Sequence, residues 1–149
     1  MSTKFTSVYD EIRTAISTLY STKTEINNPY TLEENADIDM KDSWGIAIRA
    51  GSNSNRVLCG QATVKRNIEV SLLKRVAMPE KDVTARITGE KALFNDQLDM
   101  IKYFEGSPTT TNTVNVRFIS DSGIEFLEGD RFGFLVLRST LELEYVENV

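Results

Sequence analysis

The sequence predicts an α+β fold, a mixed and mainly antiparallel sheet of long strands packed against two helices in the order α-β-β-α-β-β. Two stretches, one near the N-terminus and one between residues 93 and 104, repeat apolar residues every three or four positions, the period of an amphipathic helix. Two others, "ATVKRNIEVSLLKRV" and "RFGFLVLRSTLELEYVE", alternate apolar and polar residues for much of their length, the period of a strand with one buried face. The chain has 149 residues, 40% of them hydrophobic and 26% charged, a globular balance that suits one domain over 1–149.

The first element is expected at about residues 4–20, where Phe5, Val8, Tyr9, Ile12, Ala15, Ile16, Leu19 and Tyr20 form one continuous stripe. Residues 21–43 have no sustained period and are rich in Asn, Thr and acids; they read as a long interaction loop, because a loop of that length in a compact domain needs a purpose. "WGIAIRA" sets Trp44, Ile46, Ile48 and Ala50 on one face of a strand, and "GSNSN", Gly51–Asn55, has turn chemistry. The return arm, Ala62–Val76, places Ala62, Val64, Ile68, Val70 and Leu72 on one face and Thr63, Lys65, Asn67, Glu69 and Ser71 on the other, with Arg66 interrupting the apolar side.

A second helix is expected over about 82–105, with Leu93, Phe94, Leu98, Ile101 and Phe104 as its apolar positions, Gly89 as a weak point, and Gly106 as its stop. Val83, Ala85 and Ile87 also fit a strand. "TVNVRFIS" then reads as a strand and "DSGIEFLEGDR" as a turn-rich connection. In the last run, Phe132–Leu137 is apolar on both faces and belongs inside a sheet, whereas Leu141, Leu143 and Tyr145 oppose Glu142 and Glu144. At roughly 3.3 Å per residue a fifteen-residue strand reaches about 50 Å, against a radius of gyration of about 15 Å for a domain this size. Such strands must either curl around the helices or project to a neighbour.

Composition narrows the function. There is no histidine and one cysteine, Cys59, which removes internal disulfides, Cys/His zinc sites and His-based catalysis. No cofactor motif is present and the chain is not expected to be an enzyme. The N-terminus lacks a signal-peptide pattern and no apolar run reaches membrane length, so an intracellular product with no membrane partner is expected. A net charge of −5 argues against a dedicated nucleic-acid binder. The charge is unevenly spread: local balances are −4 over 1–43, +5 over 44–78, −2 over 79–105 and −4 over 106–149. A basic middle between acidic ends is matched either within the fold or between copies.

Several constellations resolve into plain structure. Asp37, Asp39 and Asp42 are clustered, but Lys41, Asp42 and Ile48 stand where a calcium loop needs an oxygen ligand, a glycine and a glutamate. Ser71 and Lys74 have Ser-x-x-Lys spacing, yet strand alternation sends them to opposite faces. Phe132 and Phe134 partly resemble the aromatic strand of RNA-recognition domains, but Asp130 and Arg131 break that signature. Cys59 has no base beside it and reads as a small strand-lining residue. The pairs Lys65/Arg66 and Lys74/Arg75 suit either a solvated edge or a contact with acids of a neighbouring copy, for which Glu33, Glu34, Asp37, Asp39, Glu142 and Glu144 are the candidates.

The chain resembles the tail terminator, or tail completion, proteins of long-tailed bacteriophages. The likeness lies in the helix "FTSVYDEIRTAISTLY", the acidic loop, the hairpin "SWGIAIRAGSNSN" leading into "ATVKRNIEVSLLKRV", the helix "EKALFNDQLDMIKYF" and the closing "FGFLVLRSTLELEYVE". It covers nearly the whole chain, in order, length and texture. It implies a virion structural protein, assembled in the host cytoplasm into a hexameric ring at the head-proximal end of the tail tube. Such a ring stops tube polymerisation and docks the head connector, and DNA passes through it without sequence recognition. A tail-tube or head-tail connector subunit, or an RNA-recognition-like module, is the alternative.

Overall fold

The computed structural model describes residues 4–26, 42–57, 61–76, 82–106, 113–128 and 133–148. The elements are α1 (Lys4–Leu19), β1 (Thr24–Glu25), β2 (Ser43–Val57), β3 (Gln61–Val76), α2 (Val83–Gly106), β4 (Thr113–Glu128) and β5 (Gly133–Asn148). The fold is α+β, as expected. One five-stranded sheet has the order β1-β2-β3-β5-β4, antiparallel throughout except for the β1/β2 pair. Both helices lie on one face.

The four main strands are 15 or 16 residues long, about three times the usual length. Alternation along each follows the core. Trp44 and Ile46 pair with Leu72 and Val70, which pair with Leu137 and Ser139, and Leu137 pairs with Ile124. Val8, Ile12 and Ile16 of α1 and Leu93, Met100 and Phe104 of α2 bury against this face. The Tyr20 hydroxyl ties the helices together, donating to the Asp96 carbonyl at 2.6 Å. Burial, with Asp96 and Asp99 adding, pushes that phenol well above its ordinary pKa.

Two expected turns are strand instead. Gly51–Asn55 does not end the first strand: β2 continues to Val57, and the irregularity appears as register shifts between Ile48 and Gly51 and between Asn53 and Asn55. Likewise "DSGIEFLE" belongs to β4, with a shift between Asp121 and Ile124 where Gly123 has φ of 70°. The Asp121 carboxylate accepts the Gly123 amide at 2.8 Å, and the Ser122 hydroxyl accepts the Arg138 amide at 3.2 Å. Gly, Asn and Ser serve a bulge for the same conformational reasons that they serve a turn. Turn chemistry was therefore legible but its use was not.

Two more expectations are corrected. The 21–43 loop contains β1, held by the Thr24 amide donating to the Asp42 carbonyl and the Ile26 amide to the Trp44 carbonyl; residues 27–41 lie outside the described residues. The apolar residues expected at helical spacing on α2 occupy two flanks, because at 3.6 residues per turn Leu93, Gln97, Met100 and Phe104 face the sheet while Phe94 and Leu98 do not. Helix α2 runs unbroken through Gly89, whose missing side chain admits the sheet: a Cβ there would lie 2.9 Å from both Leu135 Cδ1 and Val76 Cγ2.

Candidate functional site

The face of the sheet opposite the helices has two halves. At one end Ala47, Leu73, Phe134 and Val136 are buried. This is the described part of the doubly apolar stretch expected of residues 132–137, Phe132 lying outside the described residues, and a buried Phe134 offers no ring for base stacking. Towards the other end the same face is charged. Arg49 meets Glu69 at 2.8 Å, Arg138 lies 3.8 Å from Glu69 and 3.6 Å from Glu125, Arg117 meets Glu142 at 3.1 Å, and Lys65 lies 3.9 Å from Glu144. Four cations and four anions alternate across β2, β3, β5 and β4.

Strand register builds this ladder. Lys65 pairs with Glu144 and Asn67 with Glu142 between β3 and β5, and Arg117 pairs with Glu142 between β4 and β5. The basic middle and the acidic C-terminal end of the sequence are thus brought face to face within one chain. Arg138, mostly buried at 18% side-chain exposure, also donates to the Ser71 hydroxyl at 3.0 Å.

The other candidate residues separate. Lys74 lies on the helix face, paired in register with Leu135, and its ammonium meets Asp42 at 2.7 Å. The Arg75 amide donates to the other Asp42 oxygen at 3.4 Å, so Asp42 clamps the end of β3 to the start of β2. Ser71 is on the opposite face from Lys74, as strand alternation requires. Arg66 turns under α1: its guanidinium carbon is 5.0 Å from the Phe5 ring centroid, within cation–π range, and one terminal nitrogen donates to the Arg49 carbonyl at 3.1 Å. Its Nε is buried without a partner. The same guanidinium would lie 2.8 Å from a Cβ at Gly51, so the glycine leaves room for it. Glu33, Glu34, Asp37, Asp39 and Cys59 lie outside the described residues.

Three arrangements were missed in the sequence. Gln97 is 7% exposed and donates to the Ser139 hydroxyl at 2.9 Å and to Asp121 at 3.1 Å, fastening α2 to the bulged part of β4. Its position four residues after Leu93 and three before Met100 was the available signal. Lys23 reaches Asp96 of α2 at 2.9 Å. Arg13 grips Glu25 with two nitrogens, at 2.8 and 3.0 Å, a fork that raises the Arg13 pKa and holds β1 beside α1.

Among the described residues no three His, Cys, Asp or Glu side chains are grouped to hold a metal ion, and no helix is long and apolar enough to cross a membrane. No model of a known protein family matches the chain, and a search of curated proteins finds no significant match.

Proposed function

We propose that this protein is a tail terminator of a long-tailed phage, a structural subunit without enzymatic activity. In this reading, copies form a ring that caps the tail tube, stops its growth and offers a docking surface to the head. The observation that carries the reading is the sheet: strands of 15 or 16 residues with both helices on one face, a slab longer than a core of this size requires. The charge ladder supports it further. Cations that already face carboxylates have little left to hold phosphate, a property suited to a component past which DNA moves without being read.

The test is assembly. Light scattering with negative-stain imaging, alone and with tail tubes, should give ring particles near 100 kDa, six copies of 16.8 kDa, and tubes closed at one end. A strict monomer that neither binds tube ends nor limits tail length overturns the proposal. A subunit that itself polymerises into tubes favours the tail-tube alternative.

A further inference from the structure

We propose that copies of this chain meet through the outward flank of α2, an apolar stripe formed by Val83, Ile87, Phe94 and Leu98 with Phe126 of β4 beside it. The inference deepens the ring reading and rests on it for the size of the assembly, not for the location of the contact.

These residues are the clearest unburied apolar feature of the described residues. Val83 is 60% exposed, Leu98 46%, Phe94 42% and Ile87 38%. At 3.6 residues per turn the four fall within about 60° of one another around the helix. The spacing 83, 87, 94, 98 is that of a contact seam, as repeats of three and four residues generate. The flank facing α1 is marked by Asp96, which takes the Tyr20 hydroxyl on its carbonyl and Lys23 on its carboxylate, and lies about half a turn away from Phe94 and Leu98. Gln97, between the buried face of α2 and the stripe, reaches Asp121 of β4, so β4 lies on the stripe's side of the helix. Phe126 of β4, 42% exposed and paired with Leu135 on the helix face, extends the stripe towards the β4 edge.

Size and chemistry favour a second copy as the occupant. From Val83 to Leu98 the stripe is about 23 Å long, and with the adjoining strand the face is about 15 Å wide. That gives roughly 350 Å², the size of apolar patch that marks a protein contact and of the apolar centre of a standard interface of ~800 Å² per partner. Exposed Lys91 and Lys102 border the stripe, and a chain of net charge −5 gives a neighbouring copy the acids to meet them; a head-to-tail contact of this kind, between unlike surfaces, is the one that closes into a ring. The bulges in β4 interrupt its outer backbone edge and discourage strand addition. Side-chain packing on α2 is the contact that remains on this flank. The basic pairs do not compete for the role, because Lys65 and Lys74 face Glu144 and Asp42 of their own chain.

The test is F94E/L98E, two exposed positions in a helix that glutamate tolerates, measured by light scattering over a concentration series beside the wild type. The expected result is a drop from the assembled mass to 16.8 kDa with an unchanged circular dichroism spectrum. A second measurement does not depend on that variant folding. In a Cys59→Ser background, Leu98→Cys should react with a thiol reagent at least tenfold more slowly in assembled than in dilute fractions. A wild-type ring that persists in the double variant, with Leu98→Cys equally reactive in both fractions, overturns the inference and leaves the ring reading intact. If that persistent ring no longer binds tube ends, the stripe belongs to the tube protein and the inference fails. A wild-type dimer abolished by F94E/L98E supports the inference and overturns the ring. A wild type monomeric at every concentration overturns it outright.

Discussion

Strands β3 and β5 run side by side without a break from Gln61 opposite Asn148 to Val76 opposite Gly133. Their outer neighbours β2 and β4 are as long, but each is interrupted by register shifts. The inner pair is buried on the helix face by Ile68, Val70, Leu72, Leu137, Leu141 and Leu143, and a one-residue slip would exchange that face for charges. The outer strands carry Ile48, Ile119 and Phe126 exposed, so less apolar area fixes their register. Bulges are tolerated there, and they also blunt edges that would otherwise template another strand.

Leu137→Ala, at a fully buried centre of β5, strikes the inner pair hardest. It should cost about 2–5 kcal/mol, and Phe126→Ala on the outer strand under about 1 kcal/mol, as read by urea denaturation. Equal losses would mean that the outer strand is as constrained as the inner. Next, Gly89→Ala gains about 1 kcal/mol of helix propensity but drives a methyl against Leu135 and Val76, an overpacking of about 1–3 kcal/mol. A net loss of about 1 kcal/mol is expected; a stabilised variant would show that α2 is free to lift from the sheet.

Gly123→Ala isolates the bulge, since nothing lies within 4 Å of the added methyl. Only the positive φ opposes it, at about 1 kcal/mol, and thermal melting that matches wild type would deny the left-handed conformation. Tyr20→Phe removes the bond to the Asp96 carbonyl for about 1 kcal/mol and alters the alkaline response. Because the folded-state pKa of Tyr20 is raised, its contribution is complete below the unfolded value near pH 10 and declines as pH rises beyond it. The phenylalanine variant should lose less stability between about pH 10 and 11 than wild type; parallel curves would contradict the burial. Smallest of all, Lys65→Ala on the half-exposed ladder should cost a few tenths of a kcal/mol, measurable in a double-mutant cycle with Glu144→Ala. A coupling above about 1 kcal/mol would make the ladder a stabilising network.

Local periodicity determined much of this protein. Val8, Ile12 and Ile16 fixed the first helix, and the alternation of Val64, Ile68, Val70 and Leu72 fixed the face of β3, because burial repeats at 3.6 or 2 residues whatever lies opposite. The doubly apolar run around Phe134 and Val136 announced a strand buried on both sides. Which charges meet was decided by tertiary structure alone: Lys65 reaches Glu144 and Lys74 reaches Asp42 through pairings between residues far apart in sequence. Register likewise turned "GSNSN" and "DSG" from expected turns into bulges, since a residue that permits an unusual backbone angle does not specify how the chain continues. The outward flank of α2 was hidden for a related reason. Phe94 and Leu98 share a period with Leu93 and Phe104, and only the position of the sheet separates the flank that it buries from the flank left exposed.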